Sequence, residues 1–312
     1  MSSSTAQRLI SLLPGTTEWV CALGLQSSLV GISHECDFPA GISPLPRVSG
    51  TLIQHESPSL TIDAQVRAAL AAGESLYQLD LAQIQRLAPT LLISQSLCAV
   101  CGVDSDTVEA ALCELPGGTG QFNFAPLNLT SLFQAVRELG ARLGVEDRAS
   151  ALCLMLEARI DSVRQRTATL GELRPRVAFL EWVDPLFSGG HWNPELVSLA
   201  GGIPVLGAAG EKSRSLEWAA LAAADPDVIF IACCGFSVAR TLAELPSITS
   251  KPHWQSLRAV QSGRVFVSDG NAFFNRSGPR LVDSLEQLAH ALHPQLHPLP
   301  SGVPAAHALP AG

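Results

Sequence analysis

Asp225-Pro226-Asp227-Val228-Ile229-Phe230-Ile231-Ala232, preceded by the helix-forming run Leu216 to Ala223, decides the fold. Five apolar residues after an Asp-Pro break are too few for a buried helix. Their β-branched and aromatic side chains suit a strand buried on both faces. The segment therefore reads helix, turn, strand. The same order stands earlier in the chain, where a helix near Asp80 to Leu87 meets Ala88-Pro89 and the apolar strand Thr90 to Ser94. Strands without a polar face belong to parallel sheets covered by helices on both sides.

Working outward, each half opens with a similar unit. The first has a strand from Arg8 to Leu13, a helix from about Thr17 to Leu23 closed by Gly24, and a strand from Leu29 to Ser33. The second has a strand from Arg176 to Leu180, a Gly-containing loop, and a helix from Pro194 to Leu199 closed by Gly201-Gly202. Between them Leu132, Val136, Leu139 and Leu143 keep helical spacing, and Leu152, Leu156, Ile160 and Val163 resume it after Gly144. The expectation is an α/β protein of two parallel-sheet lobes, residues 6–127 and 171–295, joined by a long helical connector, 128–170. A stiff connector implies modest lobe motion. Residues 296–312, rich in Pro, Ala and Gly, read as a disordered tail.

Composition narrows the function. The 312 residues suffice for two domains of ordinary size, and 47% hydrophobic against 15% charged residues describes a globular chain. A net charge of −8 with no Lys/Arg run argues against nucleic acid and against an anionic membrane surface. No apolar stretch approaches the roughly 20 residues of a membrane helix. The run Leu9 to Leu13 stops at Pro14, too short for the core of a signal peptide, so the expected location is the cytoplasm. Eight cysteines without an export signal should then be free thiols. Gly189-Gly190 lacks the dinucleotide fingerprint and no Ser sits in a Gly-x-Ser-x-Gly turn, so the chain reads as a binding protein and not an enzyme.

Open parallel sheets bind ligands beyond the carboxyl ends of their strands. That rule selects the loops Pro14 to Thr17, His34 to Phe38, Gln95 to Cys101, Trp182 to Trp192, Cys233 to Phe236 and Asn271 to Arg276. The candidate ligand-binding residues are Phe38, Gln95, Trp182, Phe187, His191, Trp192, Phe236, Phe273, Phe274 and Arg276. Aromatic walls with a few polar anchors suit a large, flat, partly apolar ligand. Sulfur falls on the same loops. Cys36, Cys98, Cys101 and Cys234, with His34 or His191, could build a tetrahedral zinc or iron site, or one of them could approach the metal of a chelate; the alternatives are redox or disulfide chemistry and ordinary reduced cysteine. Cys21, Cys113 and Cys153 lie on apolar helical stretches and read as core. Cys233 alternates with Cys234 and reads as buried.

Three segments carry a family resemblance: Leu29-Val30-Gly31 through Asp37-Phe38-Pro39; Phe187 to Trp192 followed by Ala200-Gly201-Gly202; and Gly263 to Val267 followed by Phe273 to Arg280. In order and spacing they resemble the vitamin B12 and iron-siderophore substrate-binding proteins of ABC transporters, and an unexported branch labelled cobalamin-binding protein. The resemblance implies a class III periplasmic-binding-protein-like fold. It also implies a corrinoid such as cobalamin, or a related small-molecule metal chelate, held between the lobes for cytosolic storage, delivery or sensing. Phe38 would lie on the corrin face and Arg276 would be the ligand-facing arginine. Gln95 stands where the exported B12 binder has a tryptophan. Exported relatives dock a permease through one glutamate per lobe; Glu217 matches and Ala82 does not, so permease docking is not expected. The other readings are a Cys/His metal-site protein for metal delivery or an unknown enzymatic activity, and a transporter subunit.

Overall fold

The computed structural model describes residues 7–95, 103, 105–115 and 118–311. The chain divides into two compact units. The first comprises residues 1–57, 64–126 and 130–154, and the second comprises 58–63, 127–129 and 155–312.

Strands of the first unit are β1 (Leu9–Ser11), β2 (Leu29–Ile32), β3 (Ser49–Thr51), β4 (Tyr77–Leu79), β5 (Leu91–Ser94) and β6 (Gly120–Asn123). Four of them form one sheet in the order β2-β1-β5-β6, and every neighbouring pair is parallel. All four residues of β5 are buried, as its unbroken apolar run demands. Ile10, Leu12, Ile84, Leu92 and Val108 share one core cluster beneath it. The helix Pro14–Ala22 begins three residues earlier than the apolar spacing suggests, because Pro14 supplies the fixed φ of a first helical turn and needs no N–H partner there. The helix Leu81–Leu87 starts where the Asp80 side chain accepts from the Gln83 N–H. The short antiparallel pair β3-β4 stands apart from the main sheet.

The second unit contains β7 (Arg176–Val183), β8 (Leu186–Ser188), β9 (Ile203–Pro204), β10 (Ser215–Leu216), β11 (Val228–Ile231), β12 (Val265–Val267) and β13 (His307–Ala308). The sheet order is β10-β8-β7-β11-β12-β13, with β9 paired to β7. Its centre, β7-β11-β12, is parallel as expected. Its margins are not. β8 turns back antiparallel on β7, β10 runs antiparallel to β8, and β13 runs antiparallel to β12. Residues Val228 to Ile231 are wholly buried, and Phe230 lies opposite both Phe179 and Phe266.

Two expectations about the organisation change. The connector is two helices, Leu129–Leu143 and Glu146–Thr167, broken at Gly144 with φ +68°. The boundary between units falls inside the second of these, at Leu154 and Met155. The tail is not disordered over its described length. His297 is 3% exposed, Gln287 Nε2 donates to the Pro304 carbonyl at 2.8 Å, and β13 closes the edge of the sheet. Low-complexity composition hid this, because the tail is held by backbone pairing on β12 and not by an apolar face of its own.

Candidate functional site

The carboxyl ends of the first sheet carry a hydroxyl cluster. Ser11 Oγ lies 2.7 Å from Thr16 Oγ1 and accepts from Thr17 Oγ1 at 2.8 Å. Thr17 Oγ1 also lies 3.1 Å from Cys36 Sγ. Cys36, 1% exposed, is therefore part of a buried polar network, and its carbonyl accepts from Arg47. Phe38 is 42% exposed on the loop beyond β2, the sole aromatic among the large hydrophobic side chains exposed in the described residues. Gln95 directly follows β5, with its Nε2 buried and unpartnered among the described residues. Cys98 and Cys101 lie outside the described residues.

His34 is half-buried, and a short chain of bonds fixes its ring. Ser49 Oγ donates to Ser33 Oγ, so its lone pairs are what the His34 N–H and Nδ1 meet, at 3.2 and 2.8 Å. Nδ1 therefore carries the proton and Nε2 the free lone pair; Nε2 is buried without a partner among the described residues. Burial, the neighbouring His55 and Arg47 hold the His34 pKa down to about 4.

In the second unit, Trp182 near the end of β7 packs on Phe236, ring centroids 4.7 Å apart, and Trp182 Nε1 donates to the carbonyls of Asp184 and Ser59. Phe187 lies directly opposite Trp182 across the β7-β8 pair and is half-buried. The Arg240 guanidinium lies over the Phe236 ring at 4.7 Å, and that of Arg280 lies 5.8 Å from the Phe273 ring. Arg276 donates to Asn271 Oδ1 at 2.7 Å. The loop that presents Phe273 and Arg276 is tied down by Asp269 Oδ1, which accepts from the Asn271 and Ala272 N–H groups. Asn275 Nδ2 adds bonds to the carbonyls of Ala232 and Gly270.

Phe274 and Trp192 are not loop-tip residues. Phe274 is fully buried and completes an aromatic triad with Phe179 and Phe230, centroids 5.1 to 5.5 Å apart. Trp192, 6% exposed, donates from Nε1 to the Phe274 carbonyl. Both build the floor under the loops. His191, at φ +51°, is half-buried; burial lowers its pKa, with Glu181 opposing, and its Nε2 is unpartnered among the described residues. Sequence reasoning missed Glu181, whose Oε1 accepts from the Gly190 N–H at 3.0 Å and from Asn193 Nδ2 at 2.6 Å. A carboxylate near the end of an apolar strand was the signal available.

The thiols separate. Cys233 is fully buried, and burial pushes its pKa up to about 12, while Cys234 is exposed. Cys153 is core, but Cys21 is only half-buried and Cys113 is exposed, because the helix Ser105–Glu114 turns that position outward. All six described cysteines are free thiols.

Two α/β units, each with polar and aromatic side chains gathered at the carboxyl ends of parallel strands, have the architecture of a solute-binding protein. The chain belongs to the periplasmic binding protein family, whose model matches residues 9–272. It is 24% identical over 287 residues to the vitamin B12-binding protein of Vibrio cholerae, covering 91% of this chain and 88% of that one. It is 20% identical over 297 residues to an uncharacterized ABC transporter substrate-binding lipoprotein of Bacillus subtilis, covering 92% and 80%. The fold is that of a periplasmic heme binding protein from Pseudomonas aeruginosa (TM-score 0.74, 23% identity, 98% and 99% covered). It is also that of the periplasmic vitamin B12 binding protein of V. cholerae (TM-score 0.66, 22% identity, 92% and 96% covered).

These matches overturn the cytoplasmic expectation and, with it, the unexported branch. The family and these relatives are periplasmic or lipoprotein binders, which points outside the cytoplasm. No helix among the described residues is long and apolar enough to cross a membrane.

Proposed function

We propose that this binding protein takes a flat, metal-bearing tetrapyrrole, a corrinoid of the cobalamin kind, at the loops beyond its strand ends, and passes it to a membrane permease. The observation that carries the reading is Phe38, an aromatic ring left 42% exposed on a strand-end loop. A ring in that position is apolar surface whose burial by a ligand would contribute to binding. Trp182, Phe187 and Phe273 supply further aromatic surface in the second unit, edged by the guanidinium groups of Arg276 and Arg280, while Phe236, buried like Trp192, backs Trp182 from below. Gln95 and His191 each bring a buried nitrogen with no partner among the described residues, which a polar ligand group can satisfy. The vitamin B12-binding relative supports the corrinoid, and the heme-binding structural relative makes haem the ligand to compare it with. Glu217 is an exposed carboxylate in the second unit that can meet a permease, whereas Ala82 is exposed and uncharged, so the first unit would dock without that group.

The test is titration of purified protein with cyanocobalamin, followed by its visible absorption, with haemin as comparator. Phe38→Ala should weaken corrinoid binding by about 0.6–1.3 kcal/mol, the share of a phenylalanine's transfer energy that partial exposure leaves available. Arg276→Ala should cost about 1.5–3 kcal/mol, the range for a hydrogen bond to a charged group. Wild-type protein that binds haemin and ignores cyanocobalamin would replace the corrinoid by haem; protein that binds neither would remove the tetrapyrrole.

A further inference from the structure

We propose that His34, Glu35 and His55 form a binding site for a divalent transition-metal ion, zinc by its ligand chemistry, on the first unit. One ligating atom from each of the three lies within 4.8 Å of the other two. Two imidazoles and a carboxylate are a ligand set that zinc accepts, with the fourth tetrahedral position left for water.

His34 is already in the form a metal needs. Its Nδ1–H is held by Ser49 Oγ, whose own proton goes to Ser33 Oγ, so Nε2 presents a lone pair. A histidine ligand whose other nitrogen is anchored by a neighbour is the usual supporting arrangement around bound metals. Nε2 is also buried with no partner among the described residues, a cost that a metal bond would remove.

The two loops that carry the set are fixed from behind. Cys36 N–H donates to the Ser33 carbonyl and holds the turn that carries His34 and Glu35. The Ser57 N–H donates to the Gln54 carbonyl, and the Gln54 N–H donates to Gln65 Oε1, which closes the turn around His55. Ligand atoms around tetrahedral zinc stand about 3.3 Å apart, given bonds near 2.0 Å. The set must therefore contract, and the exposed His55 side chain on its surface turn can swing inward. The site lies wholly within the first unit, with His34 and Glu35 on the same strand-end loop that carries Phe38.

The experiment uses untagged, chelator-stripped full-length protein dialysed against zinc chloride, with bound metal read by elemental analysis. Wild type should retain one zinc per chain. His55→Ala and Glu35→Gln should each lower zinc affinity at least tenfold, and Ser49→Ala should lower it on the order of 10- to 100-fold as an anchoring loss. His253→Ala, a surface histidine of the other unit, should bind as wild type does. Because His55 is exposed, its variant should fold, which circular dichroism verifies. Wild type without zinc overturns the site. So does zinc that survives His55→Ala and Glu35→Gln and departs with Cys98→Ser, which would return the ion to the thiols.

Discussion

Glu181 carries more of the second unit's ligand-end geometry than any residue that the sequence singled out there. Its carboxylate holds both the Gly190 N–H and the Asn193 side-chain amide, fixing the turn from which His191 and Trp192 depart. Glu181→Ala leaves both donors without their charged acceptor. The expected loss is about 1.5–3 kcal/mol in chemical denaturation, with Glu181→Gln recovering part of it. His297 gives a second test. Thr167 Oγ1 donates to the Leu199 carbonyl, so His297 Nε2–H donates to Thr167 and the buried Nδ1 has no partner among the described residues. Burial first, then the charges of His293, Arg166 and His290, lowers its pKa from 6.5 to about 4. Between those values the unfolded chain binds the proton and the folded chain does not, so stability is complete above pH 6.5 and falls as pH drops towards 4. The expected loss is about 1–2 kcal/mol, less than the full shift because solvent screens the neighbouring charges. His297→Gln should flatten that slope in melts between pH 7 and 4.5; an unchanged slope would assign the acid sensitivity elsewhere. At this scale the sequence was partly legible. Aromatic type and strand-end position singled out Phe38, which is exposed on a loop, and Trp182, which is half-buried near the end of β7. They could not show that Phe274, two residues from Arg276, turns into the core at φ +62°. Nor could they pair His55 with His34, since 20 intervening residues and a tertiary loop separate them.

Among elements, the loop between β12 and the last helix shows how tightly backbone can be packed for a site. A Cβ added at Gly270 would stand 2.0 Å from the Cys233 carbonyl oxygen, and backbone there has nowhere to retreat. Gly270→Ala should therefore push the loop carrying Phe273 and Arg276 off the end of β11. The expected cost is about 1–3 kcal/mol, the range for overpacking, with a larger loss of corrinoid binding than of stability. A binding loss no greater than the stability loss would mean that the loop does not touch ligand. Strands of continuous apolar sequence, β5, β7 and β11, were legible because burial on both faces leaves no polar positions. β3, β4, β8 and β10 were not, being two or three residues long with mixed polarity, too short for any period to register. β13 was hidden by composition. Deleting residues 301–312 removes the β12-β13 pairing, the Leu309 N–H bond to Val265 and the acceptor of buried Gln287. The deletion should lower stability by about 2–4 kcal/mol; a truncated chain that melts like wild type would restore the disordered tail.

For the molecule as a whole, the helix Glu146–Thr167 is the element that both units share. Ala149 and Cys153 bury themselves in the first unit, and Leu156, Ile160 and Val163 in the second. Helical spacing made this segment readable as a connector, but the spacing alone could not say that its two ends serve two cores. One continuous helix with core residues at both ends makes the folding of each unit favour the other, because the helix nucleus is formed once and used twice. The expected result is a single calorimetric transition for the intact chain. Leu154 gives a place to cut that link without touching either core, since it is 63% exposed and sits at the boundary between units. Proline at 154 removes an i to i−4 hydrogen bond and collides with the preceding turn, at about 3 kcal/mol. Leu154→Pro should split the transition in two or lower one part of it, while Leu154→Ala, a better helix former on an exposed face, should leave it single and near its original temperature. Two transitions already present in the wild type would show that the units fold independently. A single unshifted transition in Leu154→Pro would show that something other than this helix couples them.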